Sequence, residues 1–437
     1  MRSPAPWHSP VQPAPGFDAA RVRALFPALA EADEVYLDSA STTQKPLPVI
    51  EAVEGYHRRH TANAGRGTYR WATVLEREIE SIRARTADFL GARPDEIVFT
   101  PGATAGLNAV ALAWGLAELD DGDEILYSPR DHAANVYPWV QLRTTLARFG
   151  RHIRLVPYRV TALGEADIDD LAARVTPRTR LITVSHLHHV FGALTTLEEL
   201  RDRVDPRVLW CFDCSQSGGH LPIDVRALGA DFAVLSAHKM FGTTGTGVLY
   251  CARRVHDRLT AFLPGGNSAV RVADSMLQPA EMPRRLEGGT PNIPGILALG
   301  AALEVLTDMG LPRVAEHNRV LTRRLIDGLR PVPGLRFLPG PAHAPCENGY
   351  GIVSFTLDGI GATDLGFVVA ELGFLVRTGA HCVPADAGAE RVQPVDAGGP
   401  NGLADADSVR VSTHVYTTGD DIDRFVRCVA TIASEVR

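Results

Sequence analysis

Between residues 73 and 90, apolar side chains recur at Leu75, Ile79, Ile82 and Phe89, the spacing of one buried helix face. Downstream, short β-rich runs alternate with helical stretches. The runs lie at 96–100, 124–128, 153–158, 181–184, 208–212, 232–235 and 247–251. Strand-then-helix repetition predicts a mostly parallel, seven-stranded sheet covered on both faces, an α/β fold. Ligands of such sheets gather at the carboxyl ends of the strands, so the polar residues just after each run matter most. Upstream, 35–38 reads as a short strand entering the polar turn Ser39-Ala40-Ser41-Thr42-Thr43.

After a Gly-Gly-Thr-Pro turn a helix is predicted over 291–308, and the pattern then changes. Helices over 314–329 and 363–372 and strands at 351–357 and 409–412 follow. A closing helix over 420–436 carries Ile422, Phe425, Val426 and Val429 on one face. The expected organisation is an N-terminal extension (1–34, its start partly disordered), a large α/β domain (35–300) and a smaller C-terminal α+β domain (301–437). Within the last, 384–407 is a run of Ala, Gly, Asp and Pro with little apolar content. A loop of that length is more often functional or mobile than inert.

Composition narrows the class. Of 437 residues, 45% are hydrophobic and 22% charged, enough to bury a large core and unlike a disordered or fibrous chain. A net charge of −7 without a Lys/Arg-rich run argues against nucleic acid or an anionic membrane as partner. The N-terminus lacks the apolar core of a signal peptide, and no long uninterrupted apolar stretch predicts a membrane span. Six cysteines are too sparse for a disulfide framework. A soluble cytoplasmic enzyme or binding protein is expected.

Lys239, in Ser236-Ala237-His238-Lys239 at a strand end, is a candidate Schiff-base amine, since desolvation and neighbouring cations lower a lysine pKa. Alone it reads as an ordinary surface lysine. Asp213 ends another apolar strand 26 residues earlier, and a carboxylate there needs a cationic or hydrogen-bonding partner such as a pyridinium N–H. The turn Thr100–Gly106 runs from a strand into a helix expected over 107–116, an arrangement that suits a phosphate and equally suits plain capping by Thr104.

Read in order, these segments resemble the class V branch of fold-type I pyridoxal-phosphate enzymes, closest to the cysteine desulfurase/selenocysteine lyase group. The resemblance rests on YLDSASTTQKP (36–46), RDHAANVYPW (130–139), FDCSQS (212–217), SAHK (236–239), EGGTPN (287–292) and VRTGAHC (376–382). It implies that Lys239 holds pyridoxal 5′-phosphate covalently and shuttles protons at the substrate α-carbon. Asp213 would pair with the pyridine nitrogen, His132 stack on the ring, and Gln216 contact the phenolic oxygen. Ala103, Thr104, Ser236 and His238 would form the phosphate site, joined by Thr290 from the second subunit of a homodimer. Arg410 would grip the substrate carboxylate, with Tyr69 and Ala40 beside the substrate. Cys382 would take sulfur from the amino-acid substrate as a persulfide and pass it to a protein or small-molecule acceptor. The adjacent His381 imidazole is expected to favour the thiolate.

Several positions depart from the family pattern. His189 stands where an Asn usually meets the phenolic oxygen, and an imidazole charge would respond to pH near neutrality. The neighbouring His186 and His188 lack a carboxylate or Cys to complete a metal set. Tyr69 and Ala133 replace histidines, Ala103 replaces a Thr, and 28 residues separate Cys382 from Arg410, more than the group usually has. The resemblance therefore implies cleavage of the Cβ–S (or Cβ–Se) bond of a cysteine-like amino acid. The alternative is a specialised carbon–sulfur lyase, epimerase or aminotransferase without persulfide chemistry.

Overall fold

A short strand, β1 (Val35–Tyr36), precedes the main sheet, which is built from β2 (Ile97–Thr100), β3 (Glu124–Tyr127), β4 (Arg154–Pro157), β5 (Thr179–Ser185), β6 (Leu209–Asp213), β7 (Phe232–Ser236) and β8 (Gly247–Cys251). The computed structural model describes residues 19–436 apart from 60, 66, 202, 274–275, 344–348 and 385–406. The strand order is β2-β8-β7-β6-β5-β3-β4; β8 runs antiparallel to both its neighbours and the other pairings are parallel.

Both faces are buried, so the strands read as continuous apolar runs, yet alternate side chains serve different cores. Ile182, Val184, Trp210, Phe212, Ala233 and Leu235 face one core; Leu181, Leu209, Cys211, Phe232 and Val234 face the other. Helices Leu47–Arg59, Arg70–Leu90 and Ile293–Met309 cover the first face, and the last of these is apolar nearly all round because it is buried between the other two and the sheet. The helix Arg70–Leu90 stops at Gly91, whose φ of 67° is the left-handed conformation a helix C-cap favours.

After a hairpin of β9 (Ala269–Ala273) and β10 (Met276–Pro279), the chain builds a second sheet. Its order is β11 (Leu335–Phe337), β12 (Ile352–Leu357), β15 (Ser408–Ser412), β14 (Arg377–Gly379). Helices Leu311–Leu329 and Gly419–Glu435 pack on it over a core holding Phe355, Val409, Val411 and Phe425. Val35 and Leu37 join this core, because β1 pairs in parallel with β13 (Phe374–Leu375). The segment after β1 then crosses back toward the main sheet.

Two features differ from the sequence expectation. The helix predicted from 107 begins at Ala103, because Ser236 Oγ accepts the Ala103 N–H at 3.0 Å and fixes its first turn, a tertiary contact no local pattern reveals. The hairpin was not foreseen; its Val270, Val272 and Met276 are exposed, so burial patterning carried no signal. The expected disorder at the extreme N-terminus and nearly all of the 384–407 loop fall outside the described residues. Among the described residues, no single helix is long and apolar enough to cross a membrane.

Candidate active site

A cavity of about 210 Å³ opens at the carboxyl ends of β5, β6 and β7, where β14 and β15 meet them. Ser185, Asp213 and Ser236 are the last residues of their strands, and Lys239 closes the single 3-10 turn Ala237–Lys239 after β7. Burial lowers the Lys239 pKa to about 8, outweighing the opposing attraction of Asp213. Asp213 is itself held in place, Oδ1 accepting the Ser215 N–H at 2.9 Å.

His132 caps the turn Ala133–Asn135. Its Nδ1 accepts the Ala134 N–H at 3.1 Å, which leaves the proton of the neutral ring on Nε2. Burial and the nearby Lys239 hold its pKa at about 4, so the ring is neutral. Its edge meets His189, ring centroids 5.1 Å apart.

Buried polar atoms without partners cluster on this wall: both ring nitrogens of His189, Oε1 of Gln216 and Nδ1 of His238. Such atoms are costly unless a bound group satisfies them. Gln216 is oriented by donating Nε2 to Ala40 O at 2.9 Å. Across the cavity, Thr104, Ser236 and His238 surround the start of the helix that opens at Ala103, whose first N–H groups favour an anion. The set suits a planar polar ring with an anionic arm, anchored at Lys239.

The opposite wall carries two arginines. Arg410, in β15, donates Nη1 to His189 O at 2.9 Å and Nη2 to Ser41 Oγ at 2.9 Å and Asp38 Oδ1 at 3.2 Å, while its Nε is buried without a partner. Arg377 lies opposite Arg410 in the β14–β15 register and donates Nη1 to Ser41 Oγ at 3.1 Å. Its Nη2 stands 3.7 Å from Cys382 Sγ. Cys382 is exposed, and both it and His381 adopt left-handed backbone, φ 65° and 52°, a strain typical of functional loops. The backbone here is pinned by Ala133 N–H donating to Cys382 O at 2.9 Å.

Lys239, Asp213, His132, Gln216, Ala103, Thr104, Ser236, His238, His189, Arg410, Ala40 and Cys382 all line this one cavity. Two of the sequence candidates do not. Tyr69 is 54% exposed at the N-terminus of helix Arg70–Leu90, and Thr290 is exposed on the loop before Ile293–Met309. Two electrostatic expectations are corrected. His189 does not titrate near neutrality: burial, then His188, His132 and Arg410, hold its pKa well below the usual value. His381 does not supply an imidazolium beside the thiol: burial and the two arginines lower its pKa to about 3, and the cation on Sγ is Arg377. Arg377 is also the residue the sequence reading missed. Its place five residues before Cys382, at the start of a strand, was the available signal. His188 donates Nε2–H to Arg130 O at 3.1 Å while its Nδ1 accepts the Val190 and Phe191 N–H groups, and His186 Nδ1 pairs with Ser217 Oγ at 2.9 Å.

The aminotransferase class-V family model matches residues 35–425. Among curated relatives, a cysteine desulfurase of Klebsiella pneumoniae is 35% identical over 421 residues, covering 94% of this chain and 97% of that protein. A probable cysteine desulfurase of Methanothermobacter thermautotrophicus is 33% identical over 394 residues, covering 89% and 92%. Among solved structures, the apo cysteine desulfurase of Thermococcus onnurineus superposes with a TM-score of 0.85 at 28% identity, covering 95% of this chain and 98% of that one. The Escherichia coli cysteine desulfurase CsdA, solved in an S-sulfonic acid form, gives 0.82 at 30% identity, covering 96% and 99%.

Proposed function

The chain belongs to the class-V aminotransferase family, and from that premise we propose that it is a pyridoxal-phosphate-dependent cysteine desulfurase. The reaction breaks the Cβ–S bond of L-cysteine and forms an S–S bond at Cys382 (with the selenium analogue, Cβ–Se breaks and S–Se forms). Free cysteine and the Cys382 thiol become alanine and a Cys382 persulfide. The β-carbon is reduced as the sulfur is oxidised, so atoms and electrons balance without an added oxidant or reductant.

When bound, pyridoxal 5′-phosphate supplies an electron sink for the charge left at the substrate α-carbon. Lys239 would hold that group covalently and, once the substrate amine has displaced it, its free amine, with a pKa near 8, would take and return the α-proton. Asp213 would face the ring nitrogen and keep it protonated. His132 would lie on the ring face. Gln216 and the neutral His189 would meet the phenolic oxygen, which would give the protonated ring nitrogen of His189 an acceptor. Thr104, Ser236, His238 and the N–H groups that follow Ala103 would hold the phosphate. Arg410, steadied by Asp38, Ser41 and the His189 carbonyl, binds the substrate carboxylate. Arg377 faces the Cys382 sulfur as it accepts sulfur, and the exposure of that thiol lets a protein or small-molecule acceptor collect it.

The proposed enzyme is a homodimer. The hairpin β9–β10 leaves Val270, Val272 and Leu277 uncovered, and an isolated two-stranded hairpin is marginal in water. Thr290, exposed and outside its own cavity, would serve the second copy. A reducing cytoplasm suits an exposed working thiol.

The observation that carries the proposal is the convergence of Lys239, Asp213, Arg410 and Cys382 on one cavity. The test is the visible spectrum of the loaded protein before and after L-cysteine, with alanine and reducible sulfur assayed alongside. A band near ~420 nm that is absent in Lys239→Ala and shifts with cysteine, with alanine formed, is expected. A band that cysteine leaves untouched, with no alanine, refutes the substrate. No band at all refutes the cofactor assignment.

A further inference from the structure

Lys45 is half-buried on the segment that returns from β1 to the main sheet, and its ammonium has only neutral oxygens as partners: Thr43 O, His238 O at 3.2 Å and Thr42 Oγ1 at 3.5 Å. Among the described residues no carboxylate lies within ion-pair distance of it. Its placement is costly twice over. Burial lowers its pKa to about 8, and it stands just before the N-terminus of helix Leu47–Arg59, where the helix dipole disfavours a cation.

What the cation meets explains why the fold bears this. His238 O, the carbonyl next to Lys239, accepts four donors: Thr43 N–H at 2.9 Å, Thr43 Oγ1 at 3.0 Å, Thr42 Oγ1 at 3.1 Å and Lys45 Nζ. Thr43 Oγ1 in turn accepts the Phe241 N–H at 2.9 Å, and Phe241 is held at a left-handed φ of 68°. The turn that carries Lys239 is therefore gripped by this segment at the His238 carbonyl and at the Phe241 N–H, and the only charged donor in the grip is Lys45. The same segment ties the second domain to this turn, since Ser39 Oγ pairs with Tyr416 OH at 2.9 Å and Leu37 O accepts the Ser412 N–H at 2.7 Å.

We propose that Lys45 is a positioning residue, whose ammonium locks the His238 carbonyl and so fixes the Lys239 turn between the two domains. It touches neither substrate nor cofactor. The proposal rests on Lys239 being the cofactor lysine, and one arm of its test is independent of that reading.

In cofactor-free protein, hydrogen exchange at Met240, Phe241 and Gly242 is expected to quicken about tenfold in Lys45→Met, the loss of one charge-assisted bond, with β5 exchange unchanged. Melting should shift little, because methionine also removes a poorly paired buried charge. In loaded protein, release of cofactor should quicken by a similar factor, with Lys45→Arg closer to wild type. Unchanged exchange in the turn overturns the proposal. So does faster exchange everywhere with a lowered melting temperature, which marks a merely structural lysine. If wild-type protein shows no Lys239-dependent band, the functional reading fails and the exchange arm still decides the role of Lys45. If Lys45→Met does not fold, Thr42→Val removes a neutral donor from the same carbonyl, and a smaller rise confined to the turn is required.

Discussion

Replacing Arg410 with lysine keeps one positive charge in the cavity and removes the guanidinium fork. In the wild-type protein that fork is already oriented by the His189 carbonyl, Ser41 and Asp38, which leaves the remaining N–H groups for a carboxylate. A lysine ammonium at that depth keeps a single contact. The lost charge-assisted hydrogen bond is worth about 1.5–3 kcal/mol, which at about 1.4 kcal/mol per decade is roughly a 10- to 100-fold weaker grip. Arg410→Lys should therefore raise KM for L-cysteine by about that factor, with a smaller change in kcat, since the carboxylate is held alike before and during the chemistry. Alanine formation against cysteine concentration measures both constants, and an unaltered cofactor band in the variant shows that the site is intact. A KM within about twofold of wild type, with that band intact, would refute the carboxylate role of Arg410.

The lowered pKa of Lys239 has a kinetic consequence. Capture of pyridoxal 5′-phosphate by the cofactor-free protein needs the neutral amine, so its rate should climb about tenfold per pH unit below 8 and level off above it. Stopped-flow absorbance between about pH 6 and 10 checks this, and a rate that still climbs at the top of that range contradicts it. Phe425 is fully buried in the second core, edge-on to Phe374 at 5.5 Å. Phe425→Ala should cost about 3–5 kcal/mol of unfolding free energy, read from urea denaturation.

Much of the site was legible because its motifs sit at strand ends, where position in the chain predicts position in space. Asp213 and Lys239 follow neighbouring parallel strands, so reading the strands placed them together. What stayed hidden was register between distant segments. Asp38 and Ser41 reach Arg410 across 372 and 369 positions, and Lys45 reaches His238 across 193. No local pattern encodes such contacts. Protonation was misjudged at His189 and His381 for a related reason. An imidazole's charge depends on burial and on charges that the fold brings near, such as Arg410 beside both rings, and neither can be read from adjacent letters. Motif position alone does not bring Tyr69 to the cavity, since its exposure follows from where its helix points, while the exposure of Thr290 is compatible with the role expected of it across a dimer.

The central claim is that sulfur passes to Cys382. The most direct measurement is the mass of the Cys382 peptide after the loaded protein has met L-cysteine without a reductant. One added sulfur atom on Cys382, removable by dithiothreitol, is expected, and in Cys382→Ala an intact cofactor band with alanine formation abolished. An unmodified Cys382, or a Cys382→Ala variant that releases alanine at the wild-type rate, would contradict the persulfide route and leave a lyase without a sulfur-carrying cysteine.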